Sequence, residues 1–159
     1  MRAYADSSLI LRLLTSEADS EAAIGEYRRL GLPPLFFLPL HALEVRNAIL
    51  QRAFHERRSL PARQRQQITR ERDAALNRLE CFLSRGTLLE IALDTDTVIV
   101  RATDLAITHT EQLGTRAIDL LHVASALELD SEVFLTTDHR QAQLAKAEGL
   151  KVVSTAAAP

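Results

Sequence analysis

Four carboxylates in this chain stand where a solvated helix surface does not account for them. Asp6 directly follows the short run Arg2 to Ala5, and Asp138 directly follows Phe134-Leu135-Thr136-Thr137. Glu44 interrupts the apolar series Leu40, Leu43, Val45, Ala48 and Ile49, and Asp119 sits in the greasy stretch Ile118-Asp119-Leu120-Leu121. Two carboxylates ~4 Å apart repel by about 4 kcal/mol at an effective dielectric near 20, so a site that gathers four of them calls for a cation. With one cysteine and no histidine pair at zinc spacing, the donor set is all oxygen, which points to Mg²⁺ or Mn²⁺. Such ions keep several waters and suit phosphate substrates. They polarise a phosphoryl oxygen and supply a hydroxide, the equipment for hydrolysing a phosphodiester. A plainer reading also stands for Asp119 and Glu44, because an acid near a helix N-terminus is stabilised by the helix dipole.

Positioning these acids together requires a sheet. Short apolar runs alternate with long helical patterns, the sequence form of an α/β domain with a mainly parallel sheet of about five strands. The predicted strands are Arg2 to Ala5, Leu35 to Leu38, Leu88 to Leu93, Glu132 to Thr136 and Lys151 to Val153. Ligands of open parallel sheets bind beyond the carboxyl ends of the strands, so Asp6 and Asp138 share one crevice if the first and fourth strands are neighbours. Helices that follow strands begin at the same edge, which brings Glu44 there, and Asp119 opens its helix after the turn Gly114-Thr115. The helix from the Asp94 cap to Gly114 carries the stripe Val98, Ala102, Leu105, His109 and Leu113. A further stripe is Leu120, Ala124 and Leu127. Leu40 to Phe54 and Pro61 to Phe82 are two more helices, the second opened by Ser59 and Pro61, and together they form a helical hairpin, about 40–86.

The chain of 159 residues, 47% hydrophobic and 25% charged, suffices for one globular domain, expected over 1–155, with a frayed tail at 156–159. The net charge of -2 hides a cancellation. Between Arg46 and Arg85 lie ten arginines and four acids, a local net of +6 that leaves -8 for the remainder. A single cysteine, Cys81, suits a reducing compartment. Asp6 stands where a signal peptide needs apolar residues, and Leu32 to Leu40, with three prolines, falls short of the ~20 residues of a membrane helix. A soluble cytoplasmic protein with no membrane partner is the expectation.

The residues together resemble a PIN-domain nuclease, most closely the VapC toxins of bacterial toxin–antitoxin pairs, over nearly the whole chain. The family's opening strand, Asp and hydroxyl residue resemble Tyr4-Ala5-Asp6-Ser7-Ser8. Its helix-borne Glu resembles Leu43-Glu44-Val45-Arg46-Asn47-Ala48. Its third motif resembles Asp119-Leu120-Leu121-His122-Val123-Ala124-Ser125-Ala126, and its fourth Leu135-Thr136-Thr137-Asp138, continuing to Gly149-Leu150-Lys151-Val152-Val153. The resemblance implies a three-layer α/β/α fold in which Asp6, Glu44, Asp119 and Asp138 bind the metal and carry catalysis, with Ser7 or Thr137 placing a ligand or water. It also implies Mg²⁺- or Mn²⁺-dependent RNA cleavage by a metal-activated water, leaving a 3′ hydroxyl and a 5′ phosphate. A homodimer, and a cognate antitoxin whose tail occupies the active-site groove, are implied as well. The hairpin from Gln51 to Gly86 departs from the compact toxin pattern by its length.

Other residues carry two readings each. His122, one helical turn after Asp119, is a supporting partner or proton donor on the functional reading and a packed, hydrogen-bonded histidine on the plain one. His139 beside Asp138 is similar. Asn47 and Gln51 continue the line of Glu44 down its helix. Arg46, Arg57, Arg58, Arg63 and Arg65 suit phosphates or a partner, and equally a solvated helix face. A phosphatase of the haloacid dehalogenase type needs a second Asp two residues after the first, where this chain has Ser8. A PIN-like interaction module without catalysis, and an RNA-processing PIN nuclease that is not a toxin, are the remaining alternatives.

Overall fold

The computed structural model describes residues 1–15 and 20–154; the tail expected to fray, 156–159, lies outside them. Five strands, β1 (Ala3–Ala5), β2 (Leu35–Phe37), β3 (Leu88–Glu90), β4 (Val133–Thr136) and β5 (Lys151–Ser154), form one sheet in the order β3-β2-β1-β4-β5. Every pairing is parallel. β1 and β4 are therefore neighbours, with Ala5 opposite Leu135, which sets Asp6 and Asp138 at the same edge.

Alternation along the strands sends side chains into two separate cores, one on each face of the sheet. Ala3, Ala5, Leu35, Phe37, Val133 and Leu135 pack on one face against helices α1 (Ser7–Leu14), α2 (Ser20–Arg29), α3 (Pro39–Ser59) and α4 (Arg65–Ser84). Tyr4 and Phe134 pack on the other face, against α5 (Thr95–Leu113), α6 (Ala117–Glu128) and α7 (His139–Ala147). The result is the three-layer α/β/α arrangement expected. β1 is buried at all three positions, as a central parallel strand must be.

Several boundaries differ from the sequence reading for local reasons. The third strand ends at Glu90 rather than Leu93, because after Ile91 N donates to Phe37 O at 3.0 Å the neighbouring strand has no further carbonyls to offer. Leu38 leaves its strand to cap α3, its N–H donating to His41 Nδ1 at 2.9 Å. α3 runs on to Ser59, past Phe54: Arg57 in the extension donates to Thr69 Oγ1 of α4 at 2.8 Å, and nothing breaks the helix before Pro61. α4 begins at Arg65, after a 3-10 turn over Ala62–Gln64, and not at Pro61. Of the stripe on α5, Val98, Ala102 and Leu105 are buried and His109 and Leu113 half-buried, and the helix stops at Gly114 in the left-handed region (φ 62°). α6 is wrapped on more sides than the Leu120, Ala124, Leu127 stripe suggests, with Asp119, His122 and Ser125 also buried.

Candidate active site

Helices α1, α3, α5 and α7 follow the carboxyl ends of their strands, and three of the four acids stand at a helix start, Asp6 at α1, Asp119 at α6 and Asp138 at α7. Asp6 is fully buried; Oδ1 accepts from Leu9 N at 2.9 Å and so caps α1, while Oδ2 accepts from Thr136 Oγ1 at 2.6 Å. Ser8 Oγ, 2.7 and 2.8 Å from the two carboxylate oxygens, adds a third donor and in turn accepts from Thr137 N and Oγ1. Burial pushes the Asp6 carboxyl above its ordinary range, against the nearby His122 and the Thr136, Leu9 and Ser8 hydrogen bonds that favour the charge.

Asp119 and Asp138 are joined by a residue the sequence reading passed over. Arg116 donates through Nη2 to Asp119 Oδ1 at 3.2 Å and to Asp138 Oδ2 at 3.3 Å, and through Nε to Asp119 Oδ2 at 3.2 Å. Asp119 Oδ2 also reaches back to the Arg116 N–H at 2.9 Å, and Asp138 Oδ1 accepts from Arg140 N and Gln141 N, starting α7. Asp119 is fully buried, whereas the Arg116 side chain is 57% exposed. The guanidinium pKa is raised, first by its hydrogen bonds to Asp119 and then by the charges of Asp119, Asp138 and Glu44. Gln141 Nε2 donates to Asp119 Oδ1 at 3.3 Å, and among the described residues no donor reaches its buried Oε1.

Glu44 belongs to a different chain of contacts. Its Oε2 accepts from Ser7 Oγ at 2.8 Å and from His122 Nε2 at 2.6 Å, and His122 Nδ1 lies 2.9 Å from the Tyr4 hydroxyl. Burial works to raise the Glu44 pKa and Asp119 adds to it, but the hydrogen bond and charge of His122, with Ser7, bring it below the ordinary value. Tyr4 is fully buried and stacks on Phe134 at 5.5 Å; burial pushes its phenol well up, the Ser125 hydroxyl opposing. Beside it, His41 Nε2 donates to Ala5 O at 2.9 Å while Nδ1 accepts from Leu38 N. Burial first, then His122, lowers the His41 pKa to about 3, so this ring is neutral.

All four acids thus lie at one edge of the sheet, in two sets: Asp119 and Asp138 around Arg116, and Asp6 and Glu44 held by hydroxyls and His122. Among the described residues no group of three or more His, Cys, Asp or Glu side chains is arranged to hold a metal ion. The donors nonetheless match a hard divalent ion in kind, being carboxylate oxygens of which one pair already shares a cation. Ser7 binds Glu44, Thr137 binds Ser8, Asn47 is exposed one turn along α3, and His139 is exposed at the start of α7. Arg46 pairs with Glu80 at 2.9 Å, away from this edge, and Arg57 donates to Thr69 Oγ1 on the hairpin. Arg116, three residues before Asp119, was legible as an i,i+3 ion pair at a helix start. Thr136, Gln141, Tyr4 and His41 gave no such sign.

A fully parallel sheet with acids at its carboxyl edge is the frame of a recognised domain type. The family model of the PIN domain matches residues 3–154, and the chain belongs to that family. Among solved structures, VapBC2 from Rickettsia felis, crystallised bound to a DNA fragment from its promoter, has a chain that superposes with a TM-score of 0.61. That chain is 14% identical, and the match covers 97% of the present chain and 98% of the other, a likeness of fold. No curated protein matches by sequence. Among the described residues no helix is long and apolar enough to cross a membrane.

Proposed function

We propose that this PIN-domain protein is a metal-dependent endoribonuclease, the toxin of a toxin–antitoxin pair, folded as one domain over 1–155 and working as a homodimer in the cytoplasm. The observation that carries the reading is the set of acids at the carboxyl edge of β1 and β4, with two of them already sharing a cation across 3.2 and 3.3 Å. Asp6, Glu44, Asp119 and Asp138 would hold Mg²⁺ or Mn²⁺, an ion that binds Asp119 and Asp138 taking the place of the Arg116 guanidinium. When bound, the metal polarises the scissile phosphate and lowers the pKa of a coordinated water. The chain's own residues do the rest. Thr136 and Ser8 fix the Asp6 carboxylate, and His122 and Ser7 hold Glu44 in its charged form. Freed from Asp119, the Arg116 guanidinium would be a cation at the same edge, able to meet a phosphate oxygen.

The test is cleavage of single-stranded RNA with Mg²⁺ or Mn²⁺, before and after EDTA, by the native protein and by Asp6→Asn. Cleavage that needs the ion and is lost in Asp6→Asn supports the reading; equal signals throughout reject it. The bridging of Asp119 and Asp138 by Arg116 favours a second reading, an interaction module in which the arginine closes the site permanently. Absence of cleavage together with tight binding of a protein encoded in the neighbouring reading frame would establish that alternative. A neighbouring frame without a small DNA-binding antitoxin would point instead to an RNA-processing nuclease.

A further inference from the structure

One face of α3 runs unbroken from the acidic edge to the exposed end of the hairpin. At 3.6 residues per turn, Glu44, Asn47, Gln51, Phe54, His55 and Arg58 fall within about 100° of one another around the helix axis, and at 1.5 Å per residue this face is about 21 Å long. Glu44 is half-buried and the other five are exposed. His55 Nε2 lies 3.2 Å from Gln51 Oε1, so the two polar side chains brace each other. Phe54 is 53% exposed, and its ring meets the His55 ring edge-on at 5.3 Å and has the Arg58 guanidinium carbon 5.3 Å from its centroid. A lone exposed phenylalanine means little; one in contact with both an imidazole and a guanidinium has the composition of a base-stacking platform.

The surrounding charge is of the sign that RNA requires. Arg46, Arg52 and Arg72 are neutralised by Glu80, Glu56 and Asp73. Among the described residues no carboxylate lies at ion-pair distance from Arg57, Arg58, Arg63 or Arg65, which cluster at the hairpin's free end. An acidic catalytic edge repels phosphate until a cation arrives, so affinity has to come from elsewhere on the surface. We infer that this face of α3 is a track for single-stranded RNA, on which an unpaired base stacks against Phe54 beside Arg58 and the backbone runs past Gln51 and Asn47 towards Glu44. The inference takes its ligand from the ribonuclease reading.

The sequence contains no tryptophan, so Phe54→Trp makes a sole fluorescent reporter on the track. The protein is kept in EDTA, so that nothing is cut, and titrated with a single-stranded RNA oligonucleotide and with an abasic oligonucleotide of equal length. The expected results are quenching of the tryptophan by the RNA and not by the abasic chain, and about tenfold weaker RNA binding by Phe54→Leu than by native protein, with unchanged melting temperature. Unchanged emission while anisotropy reports bound RNA overturns the track, as does native affinity in Phe54→Leu or no RNA binding at all. Emission that responds to protein concentration or to a partner protein, and not to RNA, assigns the face to a protein interface and overturns it equally. Quenching by RNA that the native protein does not cut with Mn²⁺ leaves the track standing and rejects the nuclease; cleavage without quenching rejects only the track.

Discussion

Arg116 Nη2 stands 3.2 Å from Asp119 Oδ1 and 3.3 Å from Asp138 Oδ2, so one guanidinium ties the start of α6 to the start of α7. Asp119 is buried and obtains most of its hydrogen bonds from this residue, yet the arginine itself is more than half exposed. A side chain with that exposure can leave without dismantling the core.

Replacing it therefore separates two effects. In Arg116→Gln the paired acids lose their cation, and stability at neutral pH should fall by about 1 kcal/mol after solvent screening. Mn²⁺ should then raise the melting temperature more in the variant than in the native protein, because the ion no longer competes with the guanidinium. A thermal titration with MnCl₂ reads both; a smaller shift in the variant would mean that Arg116 helps hold the ion.

The Tyr4 hydroxyl tests the buried chain that supports Glu44. Tyr4→Phe keeps the stacking on Phe134 but leaves His122 Nδ1 without its partner at 2.9 Å. The expected cost in urea unfolding is about 1–2 kcal/mol, that of a buried polar atom left unsatisfied. A neutral result would show that another group takes over.

Much of this was legible beforehand, and the remainder is of one kind. Asp6 and Asp138 announce themselves because each follows an apolar run, whereas the adjacency of β1 and β4, a condition at the level of sequence, is supplied by their parallel pairing in the fold. The spacing of Arg116 and Asp119 hints at an ion pair but carries no sign of the bridge to Asp138, and Tyr4 and His41 look like ordinary strand and helix residues. Their partners lie elsewhere in the chain: Tyr4 finds His122, and His41 finds the carbonyl of Ala5. Periodicity reports which face of an element is apolar; it carries no record of which polar groups will meet between elements. α3 outran its predicted end for a similar reason, since the surface that extends it belongs to α4.

His41 gives the protein a pH dependence of predictable sign. Its folded pKa is about 3 against an ordinary 6.5. Between those values the unfolded chain binds a proton that the folded one refuses, so this contribution is fully present above pH 6.5 and is lost as the pH falls towards 3. The slope is at most about 1.4 kcal/mol per pH unit. Unfolding free energies from pH 7 to 4.5 should fall less steeply in His41→Gln than in the native protein; equal slopes would place the histidine in a less buried setting.

The hairpin is fastened to the sheet through Leu79, fully buried among Leu88, Val45 and other residues of that core. Leu79→Ala should cost about 2–5 kcal/mol, a cavity that this position cannot refill from solvent. Chemical unfolding followed by circular dichroism would measure it.

The strand order has a consequence for the order of synthesis. β1 is made long before its partner β4: Thr136, which donates to Asp6, is separated from it by 130 positions. Until the ribosome has delivered β4, one side of β1 has no neighbour, Asp6 lacks a donor, and Asp138 does not yet exist. A nascent chain that ends before β4 therefore cannot assemble the acidic edge, and the synthesising cell meets the finished arrangement only after the fourth strand has emerged.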